Sequence, residues 1–299
     1  MQAQVKTVTT SDQHTLCVKT WGDEKKIPLV LVHGYPDAAD VWQLVAERLA
    51  ADFNVVAYDV RGTGLSDIPE TMQGYAFDYL VQDLSQVIQA MSPDQAIHLV
   101  GHDWGALQAW EAVLGDRLKP QIASYTALAP SADHVGWWFQ RQLAQRNFQG
   151  YFNVAKRITA SGYMAMFQMP ILPELTWHLG LDKLWSTLVG YLENTTVEAS
   201  PTQLRNAKSG LGLYRQNLVK PLLNPSRRRT TIPVQMLLMN QDPFVPLSLS
   251  QGMQEWVQDI RYTEVSAGHW GILSQPQPIA EKIQQFVQSI SENRPKQIV

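Results

Sequence analysis

The stretch from Ala96 to Leu107, AIHLVGHDWGAL, most narrows what this chain can fold into. A short apolar run breaks at Gly101-His102-Asp103-Trp104-Gly105 and resumes with helical spacing. A buried strand that turns directly into a helix through a glycine-flanked pentapeptide is a nucleophile elbow, whose usual centre is serine. Here the centre is Asp103. Side chains at Gly101 and Gly105 would crowd so sharp a turn, and strain at the central residue is tolerated at functional sites. The helix opening near Trp104 points its positive end at Asp103, which favours the ionised carboxylate.

Around this stretch the pattern alternates strands and helices. Leu16 to Trp21 has the alternation of a half-buried strand, and Pro28 to Val32 is a continuous apolar run, as in a buried parallel strand. The second run ends in His33-Gly34-Tyr35-Pro36-Asp37. A helix is expected over Ala39 to Ala50, then a strand over Asn54 to Val60 that runs into Arg61-Gly62-Thr63-Gly64-Leu65-Ser66. That loop fits neither G-x-G-x-x-G nor the P-loop, and Ser66 lacks the second glycine of an elbow. Tyr79 to Met91 reads as a helix and Ile122 to Ala129 as a strand. After Pro130 the rhythm stops. From about Ser131 to Arg229 the chain is aromatic, mostly helical and rich in breakers. Strand signals return at Val234 to Leu238, ending in Asn240-Gln241-Asp242, and at Tyr262 to Val265, followed by Ala267-Gly268-His269-Trp270. Helices are expected over Ser248 to Val257 and Pro278 to Ile290. The expected fold is α/β: a mostly parallel sheet flanked by helices, with residues 1–130 and 230–299 forming the core domain and 131–229 an inserted helical cap.

Composition closes off other classes. A net charge of -3 gives no argument for a nucleic acid or an acidic partner. Arg227-Arg228-Arg229 reads as a solvated linker. The single cysteine, Cys17, excludes a disulfide within the chain and reads as core. The opening MQAQVKTVTTSDQ lacks an apolar signal region, and no stretch is long and apolar enough to span a bilayer. A soluble cytoplasmic protein is expected, with its oligomeric state left open.

In an open parallel sheet, ligands sit outside the carboxyl ends of the strands. Four such ends carry distinctive groups: His33-Gly34-Tyr35-Pro36, Asp103, Asp242 and His269. Their chain order, nucleophile, acid, histidine, is that of α/β-hydrolases. HGYPD, DVRGTGLSD, GHDWG, QDPFVP and AGHWG together resemble, in order, the landmarks of the epoxide hydrolase family, the Asp-nucleophile branch shared with haloalkane dehalogenases. Tyr35 stands where that family often has Phe, and Ala106 where a Gly often follows the elbow.

The chemistry accounts for the residue types. A carboxylate is ionised at neutral pH, so Asp103 needs no base to attack a saturated carbon. The resulting ester must be hydrolysed by activated water, for which His269 is the natural base and Asp242 its orienting acid. The resemblance implies that the backbone N–H groups of Tyr35 and Trp104 hold the oxyanion. It also implies that His33, Pro36, Trp104 and Trp270 help bind the substrate. Opening an epoxide leaves an alkoxide that needs a proton donor, and tyrosine stays protonated at neutral pH. Tyr214 lies in LYRQN and Tyr163 in GYMAMFQMP, both similar to the segments that carry the family's tyrosines. Asp59 reads as a loop organiser with Arg61, and Asp37 as a helix cap. His33, His102 and His269 lack local metal-ligand spacing, so neither a metal nor another cofactor is expected. The expected substrate is an apolar epoxide, with water as co-substrate.

A haloalkane dehalogenase has the same Asp-His-Asp logic, and the Trp104 indole could hold halide. Its second halide donor is often Asn directly after His-Gly, where this chain has Tyr35; Trp138, Trp177 or Trp185 would have to substitute. An ester hydrolase is less favoured without serine at the elbow. A binding protein on the same fold would have no purpose for an intact nucleophile, base and acid.

Overall fold

Continuous apolar strands need cover on both faces, and the fold supplies it. The structure, a computed structural model, describes residues 2–292. One eight-stranded sheet runs through it in the order β1-β2-β4-β3-β5-β6-β7-β8. The strands are β1 Gln4–Thr9, β2 Thr15–Trp21, β3 Ile27–Val32, β4 Phe53–Tyr58, β5 Ile97–Gly101, β6 Ile122–Ala127, β7 Val234–Met239 and β8 Ile260–Val265. β1 and β2 pair antiparallel, as do β2 and β4; every other neighbouring pair is parallel. One face packs on helices Phe77–Met91 and Trp104–Leu114, with Trp110, Leu80 and Tyr125 fully buried there. The other packs on Gln43–Leu49 and Pro276–Glu292, around Trp42, Phe53 and Ile283.

Two elements depart from the sequence expectation. β1 went unread because it is an edge strand with mostly exposed side chains, so burial stamps no apolar alternation on it. Ser248 to Val257 is not a helix but two 3₁₀ turns, Leu247–Leu249 and Met253–Glu255, parted by Gly252 at φ +87°. That backbone conformation is open to glycine and ends any helix.

Between β6 and β7 lies the aromatic segment, helical from Ala132 to Leu223 with short breaks. Polar side chains of helix Gln203–Asn217 tie it to the loops of the sheet. Gln203 donates to the Pro36 carbonyl at 3.0 Å, Asn206 accepts from the Gly64 N–H at 2.8 Å, and Asn217 accepts from the Phe77 N–H at 2.8 Å. The Arg227–Arg229 run is not simply solvated. Arg228 is half-buried and grips Glu111 at 2.6 and 2.7 Å and Asp133 at 2.6 Å, fastening the segment's two ends to the helix after the elbow. Asp59 does organise its loop, though not with Arg61: it accepts the N–H groups of Ala39 and Leu65, both at 2.8 Å, while Arg61 pairs with Asp83 and Asp12.

Candidate active site

The elbow forms as a strand end, one strained residue and a helix. Asp103 has φ 51° and ψ -124°, a conformation that costs on the order of 1–3 kcal/mol away from glycine. The close approach that holds it depends on missing side chains. A Cβ on Gly105 would lie 2.3 Å from the Val32 carbonyl oxygen, and one on Gly34 would lie 2.4 Å from the Asp103 carboxylate. The obstacle to Gly105 is thus backbone, which cannot step aside as a neighbouring side chain could.

Asp103 Oδ1 accepts the Tyr35 N–H at 2.8 Å, and Oδ2 lies 3.5 Å from His269 Nε2. On the far side of the ring, His269 Nδ1 donates to Asp242 Oδ2 at 2.7 Å. Asp242 Oδ1 is itself fixed by the N–H groups of Phe244 at 2.7 Å and Val245 at 2.9 Å. Trp104 heads the helix, where an N–H has no acceptor within the helix. Burial alone would lower the His269 pKa, but the charge of Asp242 and the hydrogen bonds to both carboxylates push it up to about 10. Burial alone would raise both carboxylates; His269 and the backbone N–H groups hold them below their usual range. The two carboxylates thus favour the protonated form of the ring between them. The His102 ring lies tilted at 47° against His269 with centroids 4.9 Å apart and is held neutral, its pKa lowered to about 4 by burial and by that neighbour. Its Nε2 lies 2.8 Å from the His269 carbonyl oxygen, which only accepts, so Nε2 carries the proton.

In front of Asp103 is a cavity of about 340 Å³ with a predominantly apolar lining. Trp104, Tyr163, Tyr214 and Phe244 line it together with Asp103. Tyr214 is buried edge-on against Trp104, centroids 4.6 Å apart, and Tyr163 is half-buried against Phe244. Burial and the nearby Asp103 charge raise both phenols, so both stay protonated. Trp138, Trp177 and Trp185 are not among the lining residues.

Residues 27–276 match the family described as alpha/beta hydrolase fold. The chain belongs to that family. Among curated relatives of this α/β-hydrolase, the probable oxidoreductase EphD of Mycobacterium tuberculosis is 29% identical over 279 residues, 89% of this chain and 46% of that protein. The chain thus spans about half the length of these mycobacterial relatives. Epoxide hydrolase 3 of Xenopus tropicalis is 25% identical over 283 residues, 89% of this chain and 72% of that protein. Among solved structures, a point mutant of an epoxide hydrolase from Bacillus megaterium, complexed with its product, superposes with a TM-score of 0.77 at 24% identity, covering 95% of this chain and 100% of that one. The chain is thus an α/β-hydrolase-fold protein similar in sequence and fold to proteins named epoxide hydrolases.

Of the four residues expected to bind substrate in this α/β-hydrolase, only Trp104 lines the cavity. His33 turns inward: its ring nitrogens meet the Gly34 carbonyl at 2.8 Å, the Val60 N–H at 2.9 Å and the Thr63 hydroxyl at 3.1 Å, which occupies it in holding the loop. Pro36 is buried at a cis bond after Tyr35 and faces the Gln203 amide. Trp270 packs on His269 and gives its indole N–H to Asp37 at 3.1 Å, away from the cavity. Asp37 is thus no helix cap; burial, opposed by that indole, brings its pKa to about 7. It lines a second cavity of about 520 Å³ with Trp185 and Trp270.

Two residues of the site were not anticipated. Glu193 is buried and accepts the Trp270 N–H at 2.8 Å and the Ser274 hydroxyl at 2.7 Å, gripping the loop that carries His269. Arg157 is buried and lines the Asp103 cavity. Neither has a local spacing that marks it: Glu193 acts on a segment remote in the chain, and Arg157 turns inward from a helix that is otherwise mostly exposed.

Proposed function

We propose that the enzyme opens epoxides to vicinal diols by way of an ester on Asp103, beneath a cap formed by residues 131–229. One observation carries the reading: an apolar cavity shared by an ionised carboxylate and two protonated tyrosines, with His269 and Asp242 behind the carboxylate. An Asp103 oxygen attacks an epoxide carbon, and the electron pair of the broken C–O bond goes to the epoxide oxygen. Tyr163 or Tyr214 gives that oxygen a proton. The ester has no charge, so the attraction that held the His269 proton weakens. That proton restores the tyrosine and leaves His269 a neutral base.

His269 then takes a proton from water, and the hydroxide adds to the Asp103 ester carbonyl. The N–H groups of Tyr35 and Trp104 face the oxyanion, and such donors contribute on the order of 3 kcal/mol each in related chemistry. Collapse expels the diol alkoxide, which takes the proton of the new carboxylic acid. Asp103 returns as a carboxylate and His269 as an imidazolium. A haloalkane substrate would need a second halide donor beside Trp104, and the three tryptophans that could supply one lie outside the cavity lining.

A single turnover in oxygen-18 water, with enzyme in excess, tests the order of events. Attack by Asp103 leaves the first diol unlabelled and puts the label into the peptide that holds Asp103. Labelled diol on the first turnover would mean direct attack by water and would overturn the two-step scheme.

A further inference from the structure

Helix Phe148–Ala160 is inside out. Phe148, Tyr151 and Phe152 are exposed at 82%, 52% and 50%, while Arg157, its one buried long polar side chain, is 7% exposed and faces the Asp103 cavity. A buried cation is normally matched by a carboxylate, because an uncompensated one costs several kcal/mol. Among the described residues no carboxylate lies within ion-pair distance of Arg157. Its Nε and Nη2 both donate to one neutral partner, the Ser161 hydroxyl, at 2.9 and 2.7 Å. A guanidinium carries five donors in a fork that fits a carboxylate. Most of that capacity is unused, in a cavity that is otherwise mainly apolar.

We propose that Arg157 is a specificity determinant that receives the carboxylate of a monoanionic substrate, so that the preferred substrate is an apolar epoxide bearing an acid group, as in an epoxidised medium-chain fatty acid. The inference rests on the epoxide-opening reading above and deepens it. Three features select this class over other anions. One guanidinium neutralises one charge, whereas a phosphate monoester carries about -1.5 to -2. Asp103 already places a negative charge in the same cavity, which penalises a dianion further. The remaining lining, with Leu107, Phe139, Met164 and Leu218, suits a hydrocarbon chain between the two ends. At about 340 Å³ the cavity is within the size range of small-molecule pockets.

The test compares kcat/KM for a terminal epoxide of a medium-chain fatty acid with that for the same epoxide bearing a primary alcohol in place of the acid. A charge-assisted, forked hydrogen bond corresponds to a preference for the acid of roughly tenfold to a hundredfold. Arg157→Gln is expected to bring the ratio near one, and Arg157→Lys to leave part of it, since the charge stays but the fork goes. A parent enzyme that opens the alcohol as fast as the acid overturns the inference, whatever the variants do. Calorimetric binding of octanoate to the full chain separates this failure from that of the reaction. Octanoate bound by the parent and not by Arg157→Gln supports the anion site even if no epoxide is opened. Epoxide opening without octanoate binding or acid preference sinks the anion site and leaves the reaction standing.

Discussion

Asp103 and His269 sit 3.5 Å apart, and under the proposed two-step scheme their loss has different consequences. Asp103→Asn is expected to abolish formation of the ester. His269→Gln is expected to form it and stall, because only water activation is lost. Intact-protein mass after substrate addition reads both; a His269→Gln chain that never gains the substrate's mass would contradict the division of labour. The tyrosines are expected to behave differently, since the proposed scheme has them share one proton delivery. Either Tyr→Phe change alone is expected to slow ester formation, within the roughly hundred- to ten-thousand-fold range of general acid catalysis. The Tyr163→Phe, Tyr214→Phe pair is expected to bring it close to zero, as measured by the burst of bound substrate. A double variant with the parental burst would assign the donor elsewhere.

Helix Asp182–Glu193 ends on the carboxylate that anchors the loop after β8. Glu193→Ala would leave the Trp270 N–H buried without an acceptor, and a hydrogen bond to a charged group contributes about 1.5–3 kcal/mol. Ester hydrolysis is expected to slow by roughly tenfold to a hundredfold while ester formation persists, so the alkylated enzyme accumulates; Glu193→Gln, which keeps an acceptor oxygen, is expected to recover most of the rate. Rapid-quench kinetics separate the phases, and equal slowing of both would mean a general loosening. This element also shows where sequence reading ends. The elbow was legible because strand, turn and helix are contiguous, and the acid and histidine because each closes a strand. Glu193 meets Trp270 across 77 residues, and Arg157 turns inward from a helix whose apolar face is outside. His33 misled for a related reason: a strand end locates a residue at the site but not the direction of its ring. The turns around Gly252 misled because Leu249, Met253, Trp256 and Val257 have helical spacing without forming a helix.

Across the whole molecule, the buried charges set how stability depends on pH. His269 has a folded pKa of about 10 against an ordinary value near 6.5, so its contribution is full below about pH 6.5 and is lost as pH rises through about 10. Asp37, raised to about 7, contributes fully below about pH 4 and loses its contribution as pH rises through 7. Asp103 and Asp242, both lowered, act in reverse: their contributions are present above about pH 4 and lost as pH falls through their folded values. Below about pH 6.5 the lowered His102 and His134 oppose Asp37, because each gains stability as pH rises from about 4. Denaturant unfolding at a series of pH values is therefore expected to show a fall from about pH 6.5 to 10, the His269 interval. Asp37→Asn should remove one falling contribution between about pH 4 and 7, and His269→Gln should flatten the fall above about pH 6.5. An unchanged slope above pH 7 in His269→Gln would refute the protonated form of the ring.

The helical segment joins β6 to β7, which are parallel neighbours. Such strands always need a crossover, and here the crossover has swollen to supply most of the lining of the cavity beside Asp103. Asp103, Asp242 and His269 all lie outside it, on loops of the sheet. One contiguous stretch of gene, spliced at two adjoining points of the fold, is therefore expected to carry the tyrosines, Arg157 and most of the cavity wall together while leaving Asp103, Asp242 and His269 in place. The constraint on such a chimera is Glu193. A donor segment with no acceptor for the Trp270 N–H would fit a new pocket over a base that has lost its anchor.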